Sequence, residues 1–358
     1  HGVGMSQYGA QARALVGQDA ETILGAYYEE ATIGTLGEIA DPGAIFVNVA
    51  SDISITTLSV LNGPGAVKGM ELRRLTGEAI EPTVTLFTGD SVVVVDQDPE
   101  PGTPADCVVT ITTSSGGGPV ETVWESGTCD LSVSLTGEGV SPGNVVTATN
   151  CRRANDCTYG WGTRLLVADN GSASLRSNTD RIGMCTGCPT YPGFDLVVEL
   201  SLDEYVRGIA EMPFSWEPAA LAAQAVAARS YAAAVDVSTN HTSQGCFCDL
   251  KNDSSAQVYA GWLPASAKPY LWQQWDDAAI ATAGQVLTHP DTPSSDRGIV
   301  RAFYSSSNGG ASEAGVDKWG ATWDRPFLAS VDDPYSLTAG NPRASWTETE
   351  TADAVVAR

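Results

Sequence analysis

Basic residues are scarce in this sequence, which has 19 lysines and arginines against 43 aspartates and glutamates. The formal net charge at pH 7 is therefore −24. A surface of this sign repels phosphate backbones and anionic lipid headgroups, so nucleic acid and a membrane surface are excluded as partners. A largely uncharged polymer, such as a glycan, is not disfavoured by this charge.

Long apolar runs are absent and histidines are rare. No stretch of 18 or more apolar residues occurs, so no transmembrane helix is predicted. Of the three histidines, His241 and His289 lack the surroundings of a nucleophile elbow, which argues against a Ser-His-Asp hydrolase. The sequence begins at His1 without a methionine or a signal peptide, and we interpret it as a mature or excised piece of a longer protein.

The most informative stretch is residues 201–235, which read SLDEYVRGIAEMPFSWEPAALAAQAVAARSYAAAV. Ser201 and Glu204 form the pattern of a capping box, which predicts a helix that begins there and is stopped by Pro213. A second helix, rich in alanine, is predicted over residues 218–234. Because it is apolar on nearly every side, we expect it to be buried.

Glu211 lies between these two predicted helices, beside Met212 and Phe214. Apolar surroundings disfavour a charged carboxylate and so raise its pKa. A carboxylic acid that stays protonated near neutral pH can donate a proton to a leaving oxygen, as glycoside cleavage requires. The structural alternative is a glutamate that pairs with Arg207 or Arg229, or that caps the second helix.

Three segments of the chain resemble the stage II sporulation protein D family, also called the amidase enhancer family. The first is SLDEYVRGIAEMP followed by LAAQAVAARSYA, within residues 201–235. The second, GQVLTHPDTPSSDRGIVRAFYSSSNGGASE, occupies residues 284–313, and the third, HGVGMSQYGAQARALVGQDAETILGAYYEEATI, occupies residues 1–33. Residues 85–150 carry no such resemblance.

The resemblance implies peptidoglycan remodelling by a secreted or cell-surface protein. The family's catalytic acid is the glutamate of a Glu-Met-Pro triplet, which falls on Glu211. A lytic transglycosylase would use it first as acid and then as base on the bond between N-acetylmuramic acid and N-acetylglucosamine, leaving a 1,6-anhydro end. The alternative is a non-catalytic amidase enhancer or wall-binding protein. The implied partners are glycan strands and a cell-wall amidase.

Polar residues elsewhere predict the rest of the cleft. Residues 304–310 offer hydroxyls, an amide and two glycines, which suit sugar hydroxyls and N-acetyl groups. The alternative for this segment is a polar strand end followed by a turn, and for His1 it is a chain terminus without a role. The predicted substrate-binding residues are Tyr304, Ser305, Ser306, Asn308, Gly309, Gly310, Gln224, Arg229, His1 and Gln7.

The order of the motifs departs from the family's sporulation members, in which the His-Gly-Val-Gly-Met-Ser-Gln segment follows the Tyr-Ser-Ser-Ser strand. Here that segment comes first. Either this subgroup is permuted, which is readily tolerated when chain termini lie close together, or the N-terminal motif serves a neighbouring unit. Whether residues 1–8 complete the active site of this chain stays open at this stage.

The pattern of short segments rich in valine, isoleucine and threonine, bounded by glycine, proline or aspartate, predicts strands over much of residues 44–150. We therefore predict an α+β fold: a mixed, antiparallel β-rich core with a few helices, two of which meet at Glu211, and an all-β insertion. The predicted domains are an N-terminal motif with helices that complete the core (1–33), a first part of the β core (34–84), a β-rich insertion (85–150) and the catalytic core (151–358).

Eight cysteines, an even number in an extracellular-type family, predict disulfides. The local pairs would be Cys107 with Cys129, Cys151 with Cys157, and Cys185 with Cys188. The resemblance also offers a zinc alternative at His241, Cys246 and Cys248, although structural zinc takes four ligands and only three are evident. No other metal or cofactor is predicted.

Overall fold

The computed structural model describes residues 2–39, 44–61, 69–74, 84–97, 107–114, 119–126, 131–135, 145–149, 159–161, 164–169, 194–239, 248–261, 269–338 and 340–344. His1, His241 and Cys246 lie outside these residues, as do the predicted pairs Cys151 with Cys157 and Cys185 with Cys188. The predictions for them stay predictions.

The helices lie in the N-terminal segment and in the second half of the chain. They are α1 (Gln7–Leu15), α2 (Ala20–Tyr27), α3 (Leu36–Ile39), α4 (Leu202–Arg207), α5 (Pro218–Thr239), α6 (Pro269–Ala281) and α7 (Gly315–Trp319). Short 3-10 turns cover Ser294–Asp296, Ala321–Trp323, Pro326–Leu328 and Pro334–Leu337. Among the described residues, no helix is both long and apolar enough to cross a membrane.

The strands lie mainly between the N-terminal helices and α4. They are β1 (Met5–Ser6), β2 (Thr32–Thr35), β3 (Ala44–Ile53), β4 (Ile55–Leu61), β5 (Met70–Arg74), β6 (Val84–Leu86), β7 (Ser91–Asp96), β8 (Cys107–Thr113), β9 (Val120–Ser126), β10 (Leu131–Leu135), β11 (Val145–Thr149), β12 (Tyr159–Trp161), β13 (Arg164–Asp169), β14 (Phe194–Ser201), β15 (Leu250–Lys251), β16 (Gln285–Thr288) and β17 (Tyr304–Ser305).

Two sheets account for most of these strands. One has the order β15-β3-β14-β13-β10-β5-β6 and is antiparallel except where β15 joins β3; the other, β12-β11-β4-β7-β8-β9, is antiparallel throughout. The α+β prediction is therefore confirmed. Strands from residues 85–150 join both sheets beside strands from outside that range, so sheet membership does not set those residues apart as a unit.

Helix α4 begins at the predicted capping box. The Ser201 hydroxyl accepts a hydrogen bond from the Glu204 amide at 3.3 Å, and the Glu204 carboxylate accepts one from the Ser201 amide at 3.1 Å. The helix ends at Arg207, however, well before Pro213, so the predicted end was wrong. The reason is strand-like pairing of the next residues: the Gly208 carbonyl accepts from the Ala260 amide at 2.8 Å.

Helix α5 forms the centre of the helical half of the molecule. Its alanines are buried on nearly every side, as the composition predicted, and it contacts α1, α2, α4, α6 and β16. Alanine allows this close approach because it has little side chain to hold neighbouring backbones apart. The helix is therefore a rigid support for residues at its surface.

The N-terminal segment packs on the opposite end of the sequence. Strand β1 pairs in parallel with β17, and Met5 lies opposite Tyr304. The Met5 amide donates to the Phe303 carbonyl at 3.1 Å. Gly4 has a φ of +73°, and a Cβ added there would collide with the Phe303 carbonyl oxygen. The motif segments at residues 1–33 and 284–313 thus lie side by side within one fold.

Candidate active site

Glu211 lies in the extended segment that joins α4 to α5. Its Oε1 accepts a hydrogen bond from the Val258 amide at 2.7 Å. The backbone next to it is held by the same strand-like neighbour, because the Ala210 amide donates to the Val258 carbonyl at 3.0 Å. One short segment therefore fixes both the backbone and the carboxylate of Glu211.

The arginines considered as ion-pair partners of Glu211 are engaged elsewhere. An Arg207 Nη2–Asp276 Oδ2 hydrogen bond of 3.1 Å joins α4 to α6. Arg229 Nε lies 2.7 Å from Asp203 Oδ1. The carboxylate of Glu211 instead faces a cavity.

This cavity, which we call the Glu211 cavity, has a volume of about 550 Å³. Half of its described lining residues are aromatic, and Glu211 is the one carboxylic acid among them. The lining residues are Glu211, Tyr231, Ser254, Ser255, Ala256, Arg301, Phe303, Tyr304, Trp319 and Trp323.

An aromatic cluster forms part of the wall of the Glu211 cavity. Phe303 is central to it, with its ring centroid 4.5 Å from that of Trp319 and 5.2 Å from that of Trp323. Tyr231, on α5, meets the edge of Phe303 at 5.6 Å. All four rings are only partly buried, so apolar ring surface is open to the cavity.

Arg301 brings a positive charge to the same wall. Its Nη2 lies 3.0 Å from the carboxylate of Asp296, which is fully buried behind it. Its guanidinium also lies over the Trp323 ring, 5.7 Å from the ring centroid. These two contacts fix the guanidinium plane at the edge of the cavity.

Burial raises the pKa of Glu211 above its ordinary value. Hydrogen bonding from the Val258 amide and from Tyr304 opposes that rise. Burial disfavours the charged form while both donors favour it, so the two effects act against each other. An acid poised in this way can give up a proton and take one back.

Tyr304 is the second predicted site residue in the cavity. Its hydroxyl oxygen accepts a hydrogen bond from Gln257 Nε2 at 2.8 Å. Burial, followed by the nearby charge of Glu211, raises the pKa of Tyr304 well above its ordinary value. The hydroxyl therefore keeps its proton and acts as a donor.

Other predicted substrate-binding residues are placed inside the protein, away from the Glu211 cavity. Gln7 Nε2 donates to Gln224 Oε1 at 3.3 Å where α1 packs on α5, and both side chains are buried. Arg229 is fully buried, and besides Asp203 it donates to the Ala279 carbonyl at 3.1 Å. These side chains hold helices together.

The loop after β17 faces a different cavity, of about 630 Å³, which we call the loop cavity. It is lined by Ser307, Asn308, Gly309, Pro342 and Arg343. The loop is also held by hydrogen bonds to the segment that contains Asp333 and Ser336.

Two contacts fasten this loop. Asn308 Nδ2 donates to the buried Asp333 at 3.0 Å, and the Gly310 amide donates to the Ser336 hydroxyl at 2.9 Å. Before the loop, Ser305 lies opposite Ser6 in the β1–β17 pair, and the Ser306 carbonyl accepts from the Tyr8 amide at 3.1 Å. Of the predicted residues 304–310, Tyr304 therefore lines the Glu211 cavity, whereas Ser307, Asn308 and Gly309 line the loop cavity.

Sequence reasoning missed most of the aromatic wall. Trp319 and Trp323 fall in a glycine-containing stretch, KWGATW, that has no helical or strand periodicity. Two tryptophans in a polar loop region were the available signal, because such residues are usually buried or in a binding surface. Gln257 was also missed as a site residue, although it begins a QVYAG segment.

Two of the eight cysteines, Cys107 and Cys248, fall within the described residues, and neither thiol is free. Cys129, the predicted partner of Cys107, lies outside them, so that pairing stays a prediction. Within the described part of the chain, no group of three or more histidine, cysteine or acidic side chains is arranged to hold a metal ion. The zinc alternative depends mainly on residues outside it and stays untested.

Comparison with known proteins gives a family match and several similar proteins. Residues 190–289 match the family described as Stage II sporulation protein. Stage II sporulation protein D of Bacillus subtilis (strain 168) is 30% identical over 201 residues, covering 52% of this chain and 52% of that protein. Stage II sporulation protein D of Bacillus amyloliquefaciens is 32% identical over 155 residues, covering 39% of this chain and 40% of that protein.

A further relative is the amidase enhancer of Bacillus subtilis (strain 168), 31% identical over 140 residues, which are 39% of this chain and 16% of the enhancer. The chain thus spans about half the length, or less, of the curated relatives it matches. No solved structure matches significantly. Residues 190–289, which include Glu211 and Gln257, therefore match the stage II sporulation protein family.

Proposed function

We propose that this protein cleaves peptidoglycan glycan strands as a lytic transglycosylase, with Glu211 as the single acid and base. The family domain and the names of the relatives are consistent with a role in cell-wall remodelling. The observation that carries the finer proposal is the Glu211 cavity, where one half-buried carboxylic acid faces an aromatic wall.

The reaction needs one carboxyl group. Protonated Glu211 gives its proton to the glycosidic oxygen as the bond from that oxygen to the anomeric carbon of N-acetylmuramic acid breaks. The 6-hydroxyl oxygen of the same sugar then bonds to the anomeric carbon, and its proton passes to the Glu211 carboxylate. Glycoside hydrolases use a second carboxylate to activate water or to attack. Among the described lining residues no second carboxylate is present, which favours the internal hydroxyl as nucleophile.

The rest of the cavity suits a sugar polymer. Aromatic rings present flat apolar surface to the C–H faces of sugar rings, and few polar groups are needed to fix their orientation. Trp319 and Trp323 offer such surface in the cavity that Glu211 lines. Ser254 and Ser255 add hydroxyls to the same lining. A sugar bound in this cavity would bring a glycosidic oxygen within reach of the acid.

Product analysis tests the proposal. Purified glycan strands are incubated with the protein, and the ends are identified by mass spectrometry. We expect 1,6-anhydromuramic ends with the native protein and a loss of at least 10²-fold with Glu211→Gln, which cannot donate a proton. The matched control is Glu217→Gln, which changes an exposed glutamate nearby and should leave the products unchanged. Products without anhydro ends, or undiminished cleavage by Glu211→Gln, would refute the proposal.

A second candidate function is stimulation of a cell-wall amidase without turnover, which the similarity to an amidase enhancer favours. In that case the protein alone releases no glycan fragments, and its effect on a wall amidase survives Glu211→Gln. A purified protein that neither stimulates an amidase nor binds glycan strands rules this candidate out.

A further inference from the structure

Gln257 is fully buried, precedes Val258, whose amide donates to Glu211, and connects three elements of the fold. Its Oε1 accepts a hydrogen bond from the Tyr205 hydroxyl of α4 at 2.9 Å. Its Nε2 donates to the Ala228 carbonyl of α5 at 3.2 Å and to the Tyr304 hydroxyl oxygen of β17 at 2.8 Å. Nothing in the proposed reaction so far uses this side chain.

The orientation of the Gln257 amide is determined by its neighbours. A backbone carbonyl can only accept, so the end of the amide that faces Ala228 must be the NH₂ group. The same nitrogen therefore donates to Tyr304, and the carbonyl end must accept from Tyr205. A flipped amide would place two acceptors against each other at Ala228, which is costly in a buried site.

The direction of the Tyr304 hydroxyl proton follows from this orientation. Because the Tyr304 oxygen accepts from Gln257, the tyrosine's own proton cannot point toward Gln257 and must seek another acceptor. Glu211 is the one carboxylic acid among the described residues that line the same cavity as Tyr304, so its carboxylate is the strongest acceptor there. In agreement with this, hydrogen bonding with Tyr304 lowers the pKa of the Glu211 carboxyl group. The carboxylate of Glu211 is thus the acceptor that this arrangement selects.

We propose that Gln257 is a positioning residue that aims the Tyr304 hydroxyl proton at Glu211. The carboxylate then meets two donors, the Tyr304 hydroxyl and the Val258 amide, the latter at 2.7 Å. Gln257 and Val258 are adjacent, so a single segment supplies one donor directly and directs the other. Its catalytic consequence rests on the proposed function: the anionic state of Glu211, which exists between giving and retaking the proton, is stabilised at a fixed place.

The sign of the expected effect is clear. Donors to a carboxylate stabilise its charged form and lower its pKa, so removing either link raises the pKa of Glu211. The other titratable groups that face this site are Tyr205, which interacts electrostatically with Glu211, and Tyr231 and Arg301, which line the cavity. None of these changes when Gln257 is replaced by an uncharged residue.

The test measures the carboxyl group itself. The protein is labelled with glutamate enriched in ¹³C at the side-chain carboxyl, and its NMR signals are titrated with pH. The Glu211 signal is assigned by its loss in Glu211→Gln. We expect the titration midpoint to rise in Gln257→Met, which keeps the length of the side chain but cannot hydrogen-bond, and also in Tyr304→Phe. In the double variant we expect no further rise, because both changes remove the same link.

The matched control is Tyr205→Phe. It removes a hydroxyl from the same amide, but on the side away from Tyr304, so the midpoint should not move. Thermal unfolding confirms that each variant folds. If Gln257→Met does not fold, Gln257→Asn replaces it, since an amide one methylene shorter does not reach Tyr304 and should give the same rise.

Three outcomes decide the inference. An unmoved midpoint in a folded Gln257 variant overturns it, and so do additive shifts in the double variant. A rise shared by the single and double variants supports it. If that rise occurs but no anhydro product forms with the native protein, the inference stands and the proposed function fails. With an active protein, Gln257→Met should lower kcat by about tenfold, the value of one hydrogen bond to a charged group, with KM little changed.

Discussion

The surroundings of Glu211 disfavour the charged form of its carboxyl group. Burial raises the pKa of Glu211 in the folded state, whereas the unfolded chain gives it an ordinary value near 4.5. The folded state therefore binds the proton more tightly than the unfolded state. As pH rises from the unfolded pKa through the folded one, the free energy of unfolding falls, and above the folded pKa the loss is complete.

We predict that Glu211→Gln is more thermostable than the native protein at pH 8 and equal to it at pH 4, because glutamine never carries the buried charge. The gain should be on the order of a few degrees in Tm. Thermal unfolding across this pH range measures it, with the exposed Glu217→Gln as a control that shows no such trend. A gain that is the same at both pH values would mean that Glu211 is solvated like a surface glutamate.

The aromatic wall should act on binding more than on the bond that breaks. Trp319 and Trp323 line the same cavity as Glu211 but carry no group that exchanges a proton, so we expect their contacts with a sugar to be similar before and during the reaction. We predict that Trp323→Ala raises KM for glycan strands by about tenfold while kcat changes little. Trp216→Ala, which removes a tryptophan that packs on Tyr8 outside this cavity, should leave KM unchanged. An equal fall in kcat with KM unaltered would contradict a binding role.

These residues also show what the sequence could and could not reveal. Glu211 and Tyr304, which line one cavity, were singled out from the sequence because each lies in a motif with a distinctive local pattern. Trp323 and Gln257 were not singled out because their positions depend on contacts with segments far along the chain: Trp323 lines a cavity with an acid more than a hundred residues away. No local periodicity records such a contact, and only the packing of α5, β17 and the segment around Gln257 creates it.

At the scale of elements, the buried Arg229 side chain joins several elements that meet around α5. From α5 it reaches Asp203 on α4 at 2.7 Å, the Ala279 carbonyl on α6 at 3.1 Å and the Gln285 carbonyl on β16 at 3.2 Å. A buried charge that loses its partners is strongly destabilising. The arginine therefore joins these elements and is not available to a substrate.

We predict that Asp203→Ala, which leaves this buried charge without its carboxylate, lowers the free energy of unfolding by about 3 kcal/mol. The estimate is at the low end of the range because the Asp203 side chain is 45% exposed. Chemical denaturation measures the loss. Asp276→Ala, which breaks the ion pair with Arg207, is the matched comparison and should cost less, since the Arg207 side chain is 20% exposed and water can replace its partner.

An equal loss of unfolding free energy in Asp203→Ala and Asp276→Ala would contradict the larger contribution assigned to the buried Arg229. A changed KM in a fully stable Asp203→Ala protein would favour the original prediction that Arg229 binds substrate.

Helix α4 shows why element boundaries were harder to predict than element types. The capping box fixed its start, because Ser201 and Glu204 need only each other. Its end depended on Tyr259, whose ring would collide with a Cβ at position 208. Gly208 allows the close approach that lets the following residues pair with the segment at 258–260. Pro213 was the helix-breaking residue evident in the sequence, but pairing with residues 258–260 ends α4 at Arg207, before Pro213 is reached.

At the scale of the whole molecule, the N-terminal motif and the Tyr-Ser-Ser-Ser strand behave as neighbours despite their distance in sequence. The β1–β17 pair is extended by a bridge between Val3 and Glu313. The Tyr28 hydroxyl also donates to the Phe303 carbonyl at 2.8 Å, next to the Glu211 cavity. A permuted order of motifs can build one fold in this way, because strand pairing depends on position in space and not on order along the chain.

If the N-terminal segment is part of the same cooperative unit, its amides should be as well protected as those of the core. We predict that the Met5 and Tyr8 amides, bonded to the Phe303 and Ser306 carbonyls, exchange with deuterium as slowly as the core Val300 amide, bonded to the Leu287 carbonyl. Native-state hydrogen exchange at single-residue resolution measures this.

Gly4→Ala sharpens the comparison. The added methyl group would collide with the Phe303 carbonyl oxygen at a positive φ, so it strains the contact that joins the two ends of the chain. In a cooperative unit the variant speeds exchange at Met5 and Val300 together, and Tm falls. Gly17→Ala, also at a positive φ but in open space, controls for backbone strain alone. Faster exchange confined to residues 2–8 would mean that this segment packs on a core that folds without it. The N-terminal motif would then not be part of the cooperative folding unit.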